Sequence, residues 1–387
     1  MMPSAKYDYY PLVSPPSTRP SVSLLQLATN VVTDWMPGVP NSLASGFSEL
    51  LGEMLKAERI DSDDLWTVRQ RMTGFEKQWK QVTSWILGVA FARKVIEDLG
   101  YAWWAPVSAF SSKHRTTHTA SWTFHLPPSE CKVERNNSSK LFPDYVLART
   151  KANALGYEIS FAESKGCTDS LENRSLPPSD WKLQSTNARF IFRTVPQVVT
   201  QHLLIATRIY PAGQRLRTRR IQVRTWNDKV PDAEVTLDVF RDVVIAHYFG
   251  VCERSGLTAN AQLLALRNYS PQEPDERIGR RLELVKARLL GTANQELHRE
   301  QIGEASVYFG PPSSRFKVGE MAIRIGLAEP ALKLLQSLQQ PKPNVTERLL
   351  HSFENQIAVT AESLRSFENA FVRRDGVIGM SVNRSSE

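Results

Sequence analysis

Two short apolar stretches, 142–149 and 157–165, restrict this chain more than any other feature. The first reads Phe-Pro-Asp-Tyr-Val-Leu-Ala-Arg and the second Tyr-Glu-Ile-Ser-Phe-Ala-Glu-Ser-Lys. Both read as strands, the first with proline at its start, where proline is tolerated, and the second alternating cleanly. The stretch 150–156 is the turn between them. An amphipathic helix is expected just upstream, over 75–99. There Trp79, Val82, Ile86, Val89, Ala90 and Ile96 fall near one stripe, and Gly100 is placed to end it. Residues 101–110 and 120–125 are aromatic and β-leaning. The polar stretch 166–187 contains Pro177-Pro178 and reads as a long loop, a kind of segment that is often functional. Residues 198–209 read as a buried helix and 219–226 as a strand. The order helix, three strands, helix, strand predicts an α/β domain over 75–230.

The flanks are of a different kind. Residues 1–22 carry five prolines and read as an extended N-terminal arm. Residues 23–74 form an N-terminal helical segment, broken by a turn at Pro37–Pro40, with a helix start at Ser62-Asp63-Asp64. Beyond 230 the pattern turns helical, at 235–252, 275–297, 318–338 and 345–374, and predicts a mainly helical C-terminal domain over 231–387. Within the last helix Ser352-Phe353-Glu354-Asn355 recurs as Ser366-Phe367-Glu368-Asn369, two heptads later. Leu350, Phe353, Ile357, Leu364, Phe367 and Phe371 then share one seam, with Thr360 as its polar member. That seam is either the core of a C-terminal bundle or a surface for self-association or a protein partner. Asn344 with Glu347 supplies a cap at its start, and Gly376 a stop.

Composition excludes several classes. With 387 residues, 41% hydrophobic and 9% aromatic, the chain can bury a full core without disulfides or a structural metal. Its three cysteines, Cys131, Cys167 and Cys252, are far apart with no CxxC pair, which argues against a disulfide scaffold and fits a reducing cytoplasm. The longest apolar run, 85–92, is stopped by Arg93, whereas a bilayer span needs about 20 apolar residues. The N-terminus lacks the apolar centre of a signal peptide. A cytoplasmic protein with no membrane partner is therefore expected. A formal charge of +8 favours a polyanionic partner such as nucleic acid.

The chemistry concentrates at the ends of the two strands. Glu163 and Lys165 are two residues apart, so on a strand they project from the same face. Asp144 sits one hairpin away. If the strands pair, two carboxylates and an ammonium converge in a small volume. Two carboxylates beside an open position suit Mg²⁺ or Mn²⁺, which can polarise a phosphoryl group. A lysine alongside can orient water and offset developing negative charge.

Phe142-Pro143-Asp144, followed 19 residues later by Glu163-Ser164-Lys165, resembles the PD-(D/E)XK nuclease superfamily, which has a restriction-endonuclease-like fold. The resemblance covers roughly 75–226. It implies a mixed sheet flanked by helices and hydrolysis of phosphodiesters with Mg²⁺ or Mn²⁺. It assigns metal binding to Asp144 and Glu163, a metal-binding carbonyl to Ser164, and assistance of the water to Lys165. Many members add an acid from the first helix, for which Glu76 is preferred here and Glu97 is the alternative. The glutamine and tyrosine pair of the RecB-like branch has no match in spacing among Gln197, Gln201 and Tyr210. Family habit adds the expectation of a microbial defence or repair effector acting on DNA, commonly partnered with an ATPase. The chain itself has no Walker motif. The alternative from another class is a non-catalytic nucleic-acid-binding or assembly subunit on a degenerate nuclease fold.

Arg208, Arg215, Arg217, Arg219, Arg220 and Arg224 fall within 17 residues with no acid among them. Such a run can neutralise backbone phosphates; arginines on a sheet edge can also simply blunt it. Trp103-Trp104 could stack bases, but adjacent strand residues point to opposite faces, so core packing is expected. His114 and His118 have metal-like spacing only on a helix, which their Ser- and Thr-rich surroundings do not favour. Asp180-Trp181-Lys182 repeats the motif's charges, but no apolar strand leads into it.

Overall fold

The computed structural model describes residues 3–11, 18–34, 40–60, 62–69, 77–110, 115–118, 123–126, 131–138, 141–151, 156–167, 171, 174–208, 220–229, 234–266, 276–312, 314–340 and 343–383. The first part of the chain contains β1 (Ser4–Lys6), β2 (Asp8–Tyr10), β3 (Ser21–Ser23), α1 (Leu24–Val32), α2 (Asn41–Met54), β4 (Leu55–Ile60) and β5 (Asp63–Val68). The middle contains α3 (Lys77–Asp98), β6 (Trp103–Pro106), β7 (Arg115–His118), β8 (Thr123–Leu126), β9 (Cys131–Glu134), β10 (Tyr145–Thr150), β11 (Tyr157–Cys167), α4 (Ser179–Thr186), β12 (Arg189–Phe192), β13 (Val195–Gln197), β14 (Gln201–Arg208) and β15 (Gln222–Lys229). The last part contains α5 (Leu237–Ser255), α6 (Thr258–Leu266), α7 (Glu276–Gln295), β16 (His298–Ile302), β17 (Ala305–Phe309), β18 (Arg315–Val318), β19 (Met321–Ala328), α8 (Glu329–Gln339), α9 (Pro343–Leu364), β20 (Ala370–Val372) and β21 (Val377–Asn383).

The central sheet has the order β2-β15-β14-β11-β10-β6. From the β6 edge, β6, β10 and β11 run antiparallel in turn, β11 and β14 run parallel, and β14 and β15 are antiparallel again. Helices cover both faces. Along β11 the even residues Ser164 and Gly166 meet α3, whereas the odd residues meet α4 through Lys165 and α5 through Tyr157. Burial on both faces explains the apolar centre of β14, Leu203 to Ala206, whereas β11 alternates polar and apolar residues although its first seven residues are all buried.

In the central sheet the order helix, three strands, helix, strand is present, and the strand expected over 219–226 is β15, but the second helix is not where the sequence places it. Residues 201–208 form the buried strand β14, not a helix. A short, fully apolar run has no period that separates the two, and the parallel neighbour β11 decides it. The helix of the pattern is instead α4, inside the stretch expected to be a loop, and Asp180-Trp181-Lys182 lies on its first turn.

The expected N-terminal arm is extended but woven in. β1 pairs with β3 and β5, and β2 adds to the central sheet beside β15. The 23–74 segment contains the hairpin β4–β5 as well as two helices.

The C-terminal part is mixed α/β, not mainly helical. β16, β17, β19, β21 and β20 form an antiparallel sheet in that order, with β18 also on β19. Two of its hairpins turn on Gly303-Glu304 and Gly319-Glu320, where the glycines take φ of 59° and 60°. The repeat does not lie on one long helix. α9 ends at Leu364, Phe367 follows it and Phe371 lies on β20, while Gly376 sits in the turn between β20 and β21. Leu350, Phe353, Ile357 and Leu364 are buried within this chain, with Phe353 against Trp103, so the seam is intramolecular core.

α1 is buried nearly all round, between α3 and the C-terminal sheet. One apolar cluster extends from Ala5 to Met380. The turn between β20 and β21 enters it as a charged plug. The Arg373 guanidinium pairs with Asp375, donates to Thr33 Oγ1 at 2.6 Å and lies over the Trp104 ring. His247 Nε2 is 3.0 Å from Asp375. Among the described residues no helix is long and apolar enough to cross a membrane.

Candidate active site

The hairpin β10–β11 sets the site. Tyr145 pairs with Ala162, which places Asp144, one residue earlier, across from the Glu163 end of β11. The Asp144 carbonyl accepts from the Val107 N–H at 2.9 Å, and its carboxylate Oδ2 accepts from the Ser164 N–H at 2.9 Å. Close packing holds the other side of β11. A Cβ on Gly166 would lie 2.3 Å from the Ser84 carbonyl of α3, so glycine is what lets helix and strand touch there.

Glu163 is 1% exposed, and its Oε1 lies 2.6 Å from Lys165 Nζ. Its Oε2 is buried without a hydrogen-bond partner. Lys165 Nζ also donates to Gln184 Oε1 at 2.7 Å, and Gln184 Nε2 donates to the Phe142 carbonyl at 2.9 Å. The expected trio of Asp144, Glu163 and Lys165 is thus gathered in one place, joined by Gln184 of α4.

The electrostatics are those of two carboxylates in a desolvated space. Burial pushes Asp144 up to about 6, against the Ser164 N–H bond and the Lys165 and Arg93 charges that hold it down. Burial and the Asp144 charge push Glu163 up to about 8, with Lys165 opposing. An orphaned carboxylate oxygen beside a second carboxylate is a donor set for a hard cation, so the residues present fit Mg²⁺ or Mn²⁺. Among the described residues no group of three or more His, Cys, Asp or Glu side chains is placed to hold a metal ion.

Other expected residues fall elsewhere. Glu76 lies outside the described residues. Glu97 does not join the site; its carboxylate accepts from the Arg374 N–H at 2.9 Å and from Gln26 at 3.3 Å, next to the C-terminal turn. A further acid whose charge acts on Asp144 is Asp34, just past the end of α1. It pairs with Arg93, accepts from the Tyr145 hydroxyl at 3.1 Å and adds to the upward push on Asp144. Nothing in the local sequence marks Asp34, because the contact spans more than a hundred residues.

The described arginines of the run make contacts within the fold. Arg220 pairs with the buried Asp8 at 2.8 Å, and Arg208 donates to Gln222 at 3.2 Å. Arg224 donates to the Arg174 carbonyl and stacks 5.2 Å from the Tyr10 ring. Arg220 and Arg224 thus each make contacts within the fold. Arg215, Arg217 and Arg219 lie outside the described residues. Nearer the site, the Arg135 guanidinium lies 4.8 Å from the Phe142 ring. Trp103 and Trp104 are core residues, as expected. His118 is on a strand, and His114 lies outside the described residues. Comparison with protein-family models, with curated proteins and with solved structures gives no match.

Proposed function

We propose that this chain is a metal-dependent nuclease of the PD-(D/E)XK type that hydrolyses phosphodiester bonds, with DNA as its substrate. The observation that carries the reading is the convergence of Asp144, Glu163 and Lys165 at the mouth of one hairpin, with Glu163 Oε2 buried and unpartnered. The order α3, β6, β10, β11, α4, β14, with three antiparallel strands followed by a parallel one, supports it further.

Asp144, Glu163 and the Ser164 carbonyl would hold the divalent cation, whose contribution would be Lewis-acid polarisation of the phosphoryl group. Lys165 supplies a fixed positive charge beside the phosphate and an N–H to orient the attacking water. The Ser164 N–H keeps Asp144 turned toward β11. Burial of Glu163 makes its charge costly until a cation meets it, which favours occupancy. A role in microbial defence or repair, alongside a partner ATPase, extends the same reading.

The test is incubation of the purified chain with single- and double-stranded DNA and RNA in Mg²⁺, Mn²⁺ or EDTA. Cleavage with either metal and none in EDTA is expected. Activity undiminished in EDTA would overturn the reading. Binding without cleavage under every metal condition would replace it with a non-catalytic nucleic-acid-binding subunit.

A further inference from the structure

Gln184 reaches both halves of the site. Its Nε2 donates to the Phe142 carbonyl at 2.9 Å, two residues before Asp144, and its Oε1 accepts from Lys165 Nζ at 2.7 Å. A carbonyl can only accept, so the Phe142 contact fixes which end of the amide faces the ammonium. The helix that carries Gln184 is anchored independently of Lys165. Trp181 packs against the cluster of Leu171, Leu204, Ala206 and Trp226. At the helix end, Asn187 Nδ2 donates to the Leu141 carbonyl at 2.8 Å, and Asn136 Nδ2 donates to the Thr186 carbonyl at 2.9 Å. Gln184 Oε1 is thus a fixed acceptor.

Lys165 is held between that acceptor and a carboxylate. Its ammonium lies 2.6 Å from Glu163 Oε1, so it is the counter-ion of Glu163 in the cation-free protein. A divalent cation entering at Asp144 and Glu163 would meet this ammonium on the same carboxylate, and two positive charges there repel. Lys165 can give up Glu163 without being left unpaired only if another acceptor is in reach. Gln184 Oε1 is already in contact.

We infer that Gln184 is a positioning residue that keeps hold of Lys165 while Glu163 exchanges the ammonium for a divalent cation. The inference rests on the reading of Asp144 and Glu163 as cation ligands. It makes Lys165 a placeholder at the site as well as a participant. After the exchange one of its three N–H groups stays on Gln184, and the others are free for a phosphate oxygen or water.

The experiment is Mn²⁺ binding measured by calorimetry at fixed pH and without nucleic acid. It compares wild type, Lys165→Met, Gln184→Leu, Gln184→Ala and the double variant Lys165→Met/Gln184→Leu, each with a melting curve to verify folding. Lys165→Met is expected to bind Mn²⁺ more tightly, by roughly tenfold, because the competing charge is gone. Gln184→Leu and Gln184→Ala are expected to bind about fivefold more weakly, because the ammonium then has only Glu163; in the double variant the Gln184 effect should vanish. Wild-type Mn²⁺ affinity in both Gln184 variants, or a Gln184 effect that persists without Lys165, would overturn the inference. Cleavage assays on wild type separate it from the nuclease reading. Coupled Mn²⁺ binding without cleavage keeps the exchange and removes the activity; cleavage without the coupling does the reverse. No Mn²⁺ binding by either wild type or Lys165→Met would overturn both.

Discussion

The Ser164 backbone N–H donates to Asp144 Oδ2 at 2.9 Å, so the two acidic motifs are hydrogen-bonded to each other rather than merely near. The bond spans a hairpin and needs only backbone from Ser164. It survives any change of the Ser164 side chain except to proline, which lacks the N–H, and fails when the Asp144 carboxylate is removed.

That geometry sets the first prediction. Asp144→Asn, Glu163→Gln and Lys165→Ala should each abolish most cleavage, and combining them should add little, because the three act as one unit. Melting temperatures of the Asp144 and Glu163 variants should stay at or above wild type, since each change relieves carboxylate repulsion in a desolvated site. Wild-type cleavage by Lys165→Ala and Asp144→Asn would sink the assignment.

The pH dependence of stability follows from the same pair. Glu163 rises from its ordinary 4.5 to about 8 in the fold, and Asp144 from 3.8 to about 6. The folded state therefore holds more protons than the unfolded one between those values. Stability of the cation-free protein should be greatest at the acid end of that window and fall as pH rises toward about 8. Adding Mn²⁺ should restore it most at pH 8, and Glu163→Gln should flatten the dependence. Thermal melts across pH, with and without Mn²⁺, measure this; a cation-free melting point that rises over the window would contradict it.

Gly166 gives a steric prediction. Gly166→Ala places a Cβ 2.3 Å from the Ser84 carbonyl, so α3 or β11 must shift, at a cost of about 1–3 kcal/mol. Gly88→Ala, whose Cβ would meet Ser164 Oγ at 3.2 Å, should cost less. Urea unfolding of both variants ranks them.

Phe353 separates core from interface. It is 1% exposed and packs 5.2 Å from the Trp103 ring. Phe353→Ala should lower stability by about 3–5 kcal/mol and leave the molar mass in light scattering unchanged.

Arg373 and Asp375 are both fully buried. Burial alone would raise Asp375, but the Arg373 guanidinium and the His247 ring outweigh it and hold the carboxyl well below its usual range. Its stabilising effect is present above the ordinary carboxylate value and is lost only in strong acid. Asp375→Ala leaves the Arg373 charge unpaired and should cost about 3–5 kcal/mol in denaturant unfolding at neutral pH.

Local signals in the sequence were sufficient for what depends on near neighbours. The strand alternation of 157–165 and the two-residue spacing of Glu163 and Lys165 determine that both side chains leave one face, and the antiparallel pairing with 145–150 brings Asp144 beside them. The Gly-Glu turns at 303 and 319 were also legible, since each sits between short alternating runs, although the helical reading of 231–387 passed over them. Tertiary structure decided the rest. β14 is a strand because β11 offers it a parallel ladder in a space covered on both faces, and no period in 201–208 records that. The repeat of Phe353 and Phe367 matches a coiled-coil spacing, yet the chain leaves the helix at Leu364 and folds Phe371 into a sheet. Gln184, Asp34 and the partner of Arg220 are set by contacts across 19, 111 and 212 residues that no motif, period or hairpin spacing in the sequence marks.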